Sequence, residues 1–285
     1  MKFSKVKVNG LNVFYRESGS TDKPVFLLLH GFPTASHMFR NLMPMLENDF
    51  HVIAPDFIGF GQSDAPKHTE FDYTFENLTN YVDGFLDAMG INKFYMYVFD
   101  YGAPIGFNLA VRHPERILGI VSQNGNIYLD GLGSKWDARK DYWNNPTKEL
   151  RESYKSAFKP ETIIGQYTNG EETGSISPDG YTLDIHYTEL PGYAERQSDL
   201  IFDYQNNVKN YPKYQAYVRD NQPEIIAAWG KNDPSFVYPG AEAFAKDDKN
   251  VDVHLLNGGH FVLESHWQEI GKLILEKWAQ DLNNQ

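Results

Sequence analysis

The stretch FYMYVFDYGAPIGFNLAVRHPERI, residues 94–117, decides the fold of this chain. Its first part, Phe94 to Phe99, is an apolar, alternating run that predicts a strand, and a helical pattern follows Gly102 and ends near His113. Asp100 lies between the two. This order of strand, sharp turn and helix is typical of a nucleophile elbow, which presents one side chain at the end of a sheet strand.

The side chain presented at this turn is a carboxylate. An aspartate has a reference pKa of about 3.9, so it is ionised at neutral pH without the help of a base. A serine in the same place must first lose a proton and then attacks an acyl carbon, whereas the natural target of a carboxylate is an electrophilic alkyl carbon. Asp is also a good helix N-cap residue, which is the alternative role for Asp100. The strand before it and Gly102 after it favour the nucleophile.

Short apolar runs alternate with helical patterns along most of the chain. Asn9-Gly10 joins two alternating segments into a predicted hairpin, and fully apolar runs such as Val25 to Leu29 suit strands covered on both faces, as in a parallel sheet. The sequence therefore predicts a doubly wound α/β fold. Its hairpin spans residues 3–9 and 12–18, its further strands 25–29, 51–54, 94–99, 117–122, 225–229 and 251–256, and its helices 77–89, 103–112 and 267–282.

Residues 126–222 differ from the rest in composition. They are rich in Tyr, Trp, Asn, Gly and Pro and contain only weak helical patterns, at 147–158 and 200–208. An insertion at this place, after a sheet strand, predicts a mostly helical cap over the strand ends. We therefore expect a core in two parts, 1–125 and 223–285, with the cap between them. Because aromatic residues make up 15% of the chain, we also expect an aromatic-lined pocket.

Composition narrows the classes of function. The formal net charge is −12 and no run of Lys or Arg occurs, so neither nucleic acid nor a membrane is an expected partner. The chain has no cysteine, no apolar signal core at its start and no run of the ~18 apolar residues that a spanning helix needs, so we expect a cytoplasmic protein. Glycine-rich nucleotide motifs and HExxH are absent, and we expect neither a cofactor nor a metal. The oligomeric state stays open.

Two further residues complete the order nucleophile, acid, histidine. Asp233 follows an apolar strand and a turn, which places its carboxylate at the edge where parallel strands end. His260 follows Gly258 and Gly259, which allow a sharp turn that points the imidazole back to the same edge. A histidine is needed because a base must accept a proton from water near pH 7. The predicted catalytic residues are thus Asp100, Asp233 and His260.

A fourth motif, His30-Gly31-Phe32-Pro33, follows the strand at 25–29. The backbone N–H of Phe32 can point to the same place as that of Tyr101, which predicts an oxyanion hole, and His30 is expected to hold backbone rather than react. Asp100 would attack a carbon to form an alkyl ester. His260, oriented by Asp233, would then activate the water that attacks the carboxyl carbon of this ester.

The motifs HGFPTASHMFRNLMPML, APDFIGFGQSD, VFDYGAPIGFNLAVRHPERI, WGKNDPSF and GGHFVLESH resemble those of the α/β-hydrolase family of epoxide hydrolases and haloalkane dehalogenases. The resemblance covers residues 10–125 and 223–282. VFDYGAPIGF and IVSQNGN are most similar to microbial proteins related to a small yeast epoxide hydrolase. The resemblance to this family implies an eight-stranded, mostly parallel sheet, a helical cap and a small apolar electrophilic substrate. One departure is Val98, where many members carry a smaller residue.

The resemblance implies one mechanism with two kinds of leaving group. An alkoxide released from an epoxide needs O–H donors, whereas a halide is held by N–H donors. Haloalkane dehalogenases place a Trp directly after the nucleophile and a donor such as Asn after the HG pair. This chain has Tyr101 and Phe32 in those places, although Trp136 or Trp143 could supply one donor from the cap.

Epoxide hydrolases place two cap tyrosines over the epoxide oxygen. The resemblance implies Tyr204, in IFDYQNN, as the first of these donors and Tyr167, in IGQYTNG, as the second, with Tyr154 and Tyr142 as alternatives. The sequence thus favours an epoxide hydrolase over a haloalkane dehalogenase. A ligand-binding member of the fold without turnover is the third hypothesis, against which the complete set of nucleophile, acid and histidine argues.

The remaining polar residues have simpler interpretations. Some dehalogenases take their acid from the loop after the sixth strand, but here Gln123-Asn124-Gly125-Asn126 contains no carboxylate, which favours Asp233. Asp56 is expected to form a turn. Four further histidines are expected on the surface or in packing, namely His37, His186, His254 and His266.

Overall fold

An eight-stranded sheet forms the centre of the computed structural model, which describes residues 1–279. The strands stand in the order β1-β2-β4-β3-β5-β6-β7-β8. The hairpin β1–β2 joins the sheet through an antiparallel pairing of β2 with β4, and the other six strands are parallel. The strands are β1 Lys2–Val8, β2 Leu11–Ser18, β3 Val25–Leu29, β4 His51–Pro55, β5 Phe94–Phe99, β6 Ile117–Gln123, β7 Ile225–Gly230 and β8 Val251–Leu256.

Ten α-helices are described in residues 1–279, and those that cover the sheet confirm the predicted doubly wound fold. The last predicted helix, 267–282, begins earlier, at Val262, and continues from Leu275 to Ala279 as a π-helical turn; its final three residues lie outside the described residues. The helices are α1 Met43–Leu46, α2 Phe75–Ala88, α3 Gly102–Arg112, α4 Asp137–Asn144, α5 Lys148–Ser153, α6 Pro160–Thr168, α7 Pro178–Thr188, α8 Tyr193–Asn221, α9 Pro239–Ala243 and α10 Val262–Ile274.

The change in strand order beside β3 positions the site. β4 pairs with one side of β3 and β5 with the other, so the connection from β3 to β4 and the connection from β4 to β5 run in opposite directions across the sheet. In open α/β sheets ligands bind at such a switch point, outside the carboxyl ends of the strands. The loop after β3 carries Phe32, and the turn after β5 carries Asp100.

The core accommodates the larger side chain of Val98 by placing glycines opposite it. A Cβ atom added at Gly106 of α3 would lie 2.5 Å from Cγ1 of Val98, and one added at Gly125 would lie 3.2 Å from Cγ2. Val98 is fully buried. The departure from smaller residues at this position therefore leaves the turn at Asp100 intact.

Between β6 and β7 the chain is helical, with an isolated bridge of Leu132 to Phe236. The predicted helical pattern at 200–208 is only the middle of α8, which runs for 29 residues and contains Pro212. Polar residues and the proline obscure its period, whereas its buried tyrosines recur at helical spacing. These are Tyr193, Tyr204, Tyr211, Tyr214 and Tyr217. Within residues 1–279 no helix is both long and apolar enough to cross a membrane.

Candidate active site

The turn after β5 holds Asp100 in an unusual backbone conformation. Its φ angle is +48°, in the left-handed region that residues with a side chain rarely adopt. The surroundings leave no room for larger neighbours: a Cβ at Gly102 would lie 2.3 Å from the carbonyl oxygen of Leu29, and one at Gly31 would lie 2.4 Å from Cβ of Asp100. The two glycines let the elbow pack against the end of β3.

The two carboxylate oxygens of Asp100 have different surroundings. Oδ1 accepts a hydrogen bond of 2.7 Å from the backbone N–H of Phe32. Oδ2 lies 3.4 Å from Nε2 of His260. Among the described residues no acceptor is found for the backbone N–H of Tyr101, which opens α3 beside the carboxylate. One oxygen is thus held by an amide, and the other faces the imidazole.

His260 connects Asp100 to Asp233. Its Nδ1 lies 2.6 Å from Oδ2 of Asp233, and all three side chains are at least nine-tenths buried. Asp233 is itself fixed, because its Oδ1 accepts hydrogen bonds from the backbone N–H groups of Ser235 and Phe236, at 2.8 and 3.2 Å. The three residues expected from chain order therefore meet as one hydrogen-bonded and ionic cluster.

The pKa of His260 reflects the two carboxylates around it. Burial by itself lowers this pKa, but the charge and hydrogen bond of Asp233 and the neighbouring Asp100 outweigh burial and raise it to about 10. With both carboxylates ionised, His260 is therefore an imidazolium at neutral pH. Any reaction that removes the charge of Asp100 also removes part of what raises the pKa of His260.

Asn124 is a member of this cluster that the sequence did not reveal. The loop after β6 was noted only because it lacks a carboxylate, yet Nδ2 of Asn124 donates a 2.9 Å hydrogen bond to Oδ2 of Asp233. Its Oδ1 accepts hydrogen bonds of 2.8 Å from the backbone N–H of Gly230 and from Nε2 of Gln123. Asn124 thus holds the acid in place from the neighbouring strand, and its place at a strand exit was the available signal.

Glu171 is a second residue that sequence reasoning missed. It follows α6, and its Oε1 accepts a 2.8 Å hydrogen bond from the backbone N–H of Gly259, next to His260. Its Oε2 accepts a 2.7 Å hydrogen bond from Oγ of Ser265 on α10. Glu171 therefore ties the loop that carries His260 to the segment between β6 and β7.

Replacing Glu171 with Ala is expected to lower turnover about 10-fold, because the histidine loop loses the acceptor that holds it and a small misplacement of a catalytic group is costly. Steady-state kinetics with thermal unfolding measure the effect. Glu172→Ala is the matched control, since Glu172 is exposed and its side chain makes no hydrogen bond in the described residues. Equal turnover of the two variants would contradict the positioning role.

A cavity of about 400 Å³ opens beside these residues, within the range of small-molecule sites. Its floor holds Asp100, Asp233 and His260, and its walls come from the loop after β3, the turns after β5 and β7, and the helices between β6 and β7. Its further lining residues are Phe32, Tyr101, Lys135, Trp136, Arg139, Tyr154, Ala157, Glu161, Thr162, Gly165, Gln166, Asn169, Pro234 and Ser235.

The four tyrosines named as donors occupy different places. Tyr154 lines the cavity, and Tyr142 packs behind it with ring centres 5.1 Å apart. The structure does not bring Tyr167 to the cavity: its hydroxyl donates a short hydrogen bond to buried Asp184, and its ring stacks 3.7 Å from that of Phe261. α6 turns Tyr167 towards the core, so Tyr154 is the one of these early tyrosines that lines the cavity.

Tyr204 lies behind the cavity wall. It is completely buried, and its ring lies 5.9 Å from that of Tyr101 and 4.7 Å from that of Trp136. Its hydroxyl, beside that of Tyr211, has no hydrogen-bond partner of good geometry among the described residues. Burial first, then the neighbouring Tyr211 and only after it the charge of Asp100, raise the pKa of Tyr204, so the hydroxyl keeps its proton. An unpaired buried hydroxyl is rare in native proteins and needs an explanation.

The indole N–H groups of the region are already engaged. Nε1 of Trp136 donates a 3.2 Å hydrogen bond to the carbonyl oxygen of Ser235, and Nε1 of Trp143 donates one of 3.2 Å to that of Ile201. Neither indole has a free N–H to offer a halide. Of the leaving-group donors expected from the sequence, the two indoles are therefore engaged, and the tyrosine hydroxyls remain.

The remaining histidines and Asp56 have mainly structural contacts. Burial lowers the pKa of His30 to about 4, so it is neutral and its Nε2 accepts a hydrogen bond from the backbone N–H of Phe57. Asp56 accepts hydrogen bonds from the backbone N–H groups of Ser36 and Gln62, as a turn residue does. His37 is buried, with Nε2 2.8 Å from Oδ1 of Asp184, whereas His186 is exposed.

Comparison with known proteins defines the class. The family described as the alpha/beta hydrolase fold matches residues 24–266, and the chain belongs to this family. An uncharacterized hydrolase of Saccharomyces cerevisiae is 43% identical and aligns over 98% of both chains. A haloalkane dehalogenase of Psychrobacter cryohalolentis is 36% identical, over 93% of this chain and 87% of its own. The solved structure of the epoxide hydrolase CorEH without ligand superimposes with a TM-score of 0.77 at 19% identity, covering 98% and 99% of the two chains.

These comparisons confirm the resemblance at the level of the family. The protein is an α/β hydrolase with both haloalkane dehalogenases and an epoxide hydrolase among its relatives and structural neighbours. The eight-stranded, mostly parallel sheet is the one that the family implies.

Proposed function

We propose that this protein is an epoxide hydrolase, which converts epoxides to vicinal diols through an ester on Asp100. The observation that carries the proposal is the asymmetric placement of this carboxylate in the cavity. Oδ1 is held by the N–H of Phe32, which leaves Oδ2 as the attacking oxygen beside His260. We also propose that residues 126–222 form the cap over this site and residues 1–125 and 223–285 its core.

In the first step Oδ2 of Asp100 forms a bond to an epoxide carbon, the ring C–O bond breaks, and the ring oxygen takes a proton from a hydroxyl donor. In the second step His260 accepts a proton from water, and the resulting oxygen attacks the carboxyl carbon of Asp100. The oxyanion that develops on Oδ1 is stabilised by the N–H groups of Phe32 and Tyr101. Between the two steps the imidazolium gives up its proton, which restores the hydroxyl donor. Collapse of the intermediate then breaks the ester C–O bond, the released diol oxygen takes the proton from His260, and the Asp100 carboxyl returns its own proton to the imidazole, which restores the carboxylate and the imidazolium.

The two steps require opposite protonation states of His260, and the ester supplies the change. While Asp100 is ionised, the pKa of His260 is raised. Formation of the ester removes this negative charge, so the pKa falls towards the range in which a neutral imidazole accepts a proton near pH 7. Asp233 remains to stabilise the imidazolium that then forms. His260 thus becomes a base only after the alkylation.

Leaving-group donors favour an epoxide over a halide. Tyr154 lines the cavity, and Tyr204, behind the cavity wall, has a buried hydroxyl without a hydrogen-bond partner of good geometry. The indoles of Trp136 and Trp143 donate to backbone carbonyl groups instead. O–H donors stabilise an alkoxide well, because they deliver the proton that it needs.

The purified protein tests the proposal when it is incubated with styrene oxide and, separately, with 1-bromohexane. Formation of phenylethanediol without bromide release supports the epoxide hydrolase. Bromide release alone would establish the dehalogenase instead. Failure to turn over either compound, while both bind, would favour a ligand-binding protein.

Tyr204→Phe is expected to lower epoxide turnover about 10²-fold, since we propose that its hydroxyl, which lies behind the cavity wall next to Tyr101, moves to donate to the developing alkoxide once substrate is bound. It should leave thermal stability unchanged or slightly higher, because the lost hydroxyl has no partner. Tyr214→Phe is the matched control: it lies on the same helix and donates a 2.7 Å hydrogen bond to Oδ1 of Asn108, so it should lower stability by about 1 kcal/mol and keep turnover. Full activity of Tyr204→Phe would assign the donor to Tyr154 instead.

A further inference from the structure

Arg139 differs from every other arginine of the chain. Each of the other seven donates at least one hydrogen bond to a carboxylate, hydroxyl or carbonyl oxygen of the protein. Within residues 1–279, Arg139 donates none, and no carboxylate lies within ion-pair distance of it. A guanidinium carries five N–H donors in a fixed plane, so Arg139 has its whole donor set available for a ligand.

The position of Arg139 makes this free guanidinium relevant to the substrate. Arg139 is half-buried on α4 and lines the cavity that contains Asp100. Its guanidinium carbon lies 4.6 Å from the ring centre of Trp136, in a cation–π contact that holds it against the cavity wall. Burial raises the pKa of the Tyr101 and Tyr154 hydroxyls, and the positive charge of Arg139 opposes this effect in both, so its field reaches into the cavity.

A second cation, Lys135, lines the same cavity one helical turn before Arg139. It is exposed and, among the described residues, has no carboxylate partner. Besides Asp100 and Asp233, the cavity is lined by one further carboxylate, that of Glu161 on α6, which is exposed. In a chain with a net charge of −12, a cavity wall with two unpaired cations is a local reversal of the overall charge.

We propose that Arg139, assisted by Lys135, binds an anionic group of the substrate while Asp100 attacks the epoxide, so that the preferred substrates are epoxides carrying a carboxylate. The inference rests on the proposed function. A planar guanidinium matches a carboxylate in a two-pronged hydrogen-bonded pair, and such pairs are stronger than neutral hydrogen bonds. At the floor of the cavity, the imidazolium of His260 offsets the charge of Asp100, which reduces repulsion of an anionic substrate.

A matched pair of substrates tests the proposal. 4-(Oxiran-2-yl)benzoate and 4-(oxiran-2-yl)benzamide have nearly the same shape and differ in charge at the end remote from the epoxide. The wild-type protein is expected to prefer the benzoate by about 10-fold or more in kcat/KM, mainly through KM, since one charge-assisted contact is worth that factor. The preference should decrease with added salt, because the cavity mouth is exposed to solvent.

Three variants locate the effect. Arg139→Gln is expected to bring the ratio of the two kcat/KM values to about one, whereas Glu161→Gln should raise it by removing an opposing charge. Lys140→Gln is the control, since Lys140 lies on the same helix, is exposed and faces Asp137 at 3.5 Å. It should keep the wild-type ratio. Thermal unfolding verifies that each variant is folded.

The possible failures are distinguishable. Equal turnover of the benzoate and the benzamide by the wild type would overturn the anion subsite and leave the epoxide hydrolase standing. If neither is hydrolysed although styrene oxide is, the proposed function stands; if styrene oxide is not hydrolysed either, the proposed function is wrong. In both cases the subsite is decided by calorimetry with benzoate itself. Binding to the wild type that is lost in Arg139→Gln supports the subsite. Absent binding, or equal binding by both proteins, overturns it.

Discussion

Replacing His260 with Gln is expected to stop turnover and to leave the substrate bound covalently to Asp100. Glutamine cannot accept a proton from water, so the second step loses its base, and the expected loss of kcat is on the order of 10³-fold. The first step needs only the carboxylate and a hydroxyl donor, and neither is removed. Intact-mass measurement after incubation with styrene oxide should therefore show the protein plus one substrate.

Peptide mapping should place this added mass on Asp100. The double variant with Asp100→Ala should show no adduct, and His186→Gln, which changes an exposed histidine, should turn over normally without one. Absence of an adduct in the single variant, with styrene oxide and with 1-bromohexane, would contradict the ester mechanism for both leaving groups. An adduct that maps to another carboxylate would reassign the nucleophile.

Asp100→Ala is expected to abolish turnover, with a loss on the order of 10⁴-fold or more, because it removes the carboxylate that forms the ester. The same variant should lower the pKa of His260, since it removes one of the two carboxylates that raise it. Proton NMR titration of the imidazole measures this change. The pH dependence of folding stability should change with this pKa. In the wild type, the stabilisation from protonated His260 is fully present below its unfolded pKa near 6.5 and is lost as the pH rises through the folded pKa of about 10. In the variant the folded pKa is lower, so the loss should be complete at a lower pH.

Asn124→Ala is a useful comparison for this effect. It removes a neutral hydrogen-bond donor to Asp233 and leaves the charge of Asp100 in place. We expect it to reduce turnover less than Asp100→Ala and to keep a raised pKa of His260. If Asp100→Ala leaves this pKa unchanged, the two carboxylates do not share control of the imidazole, and the proposed change of charge at the ester stage fails.

Chain order was enough to identify the residues that lie at the ends of strands. Asp100 directly follows an apolar strand, Asp233 and His260 each follow an apolar run and a turn, and parallel strands bring their carboxyl ends to one edge. The regular geometry of the parallel sheet then directs each of these side chains to the same site. The same logic located Phe32, whose backbone N–H reaches Oδ1 of Asp100.

Residues on the helices after β6 could not be placed in this way. Whether a helical tyrosine faces the cavity depends on the rotation of its helix, and α6 carries Tyr167 towards Phe261 and Asp184 instead. A resemblance in the letters around Tyr167 contains no information on that rotation. Asn124 and Arg139 were missed for a related reason, since their importance lies in a partner that each has or lacks in three dimensions.

The hydrogen bond from Gly259 to Glu171 has a consequence for recombination between relatives. The neighbouring Asn169 and Gly170 contact the loops that carry His260 and Asp233. A Cβ at Gly259 would lie 2.0 Å from the carbonyl oxygen of Asn169. Nδ2 of Asn232 donates a hydrogen bond to the carbonyl oxygen of Gly170. Residues 169–171 therefore form one structural unit with the loops that carry His260 and Asp233. Consider a chimera that takes residues 126–222 from a homologue with a different sequence at 169–171. We expect it to lose these contacts to the loops that carry His260 and Asp233, even where its new helices pack well on the core.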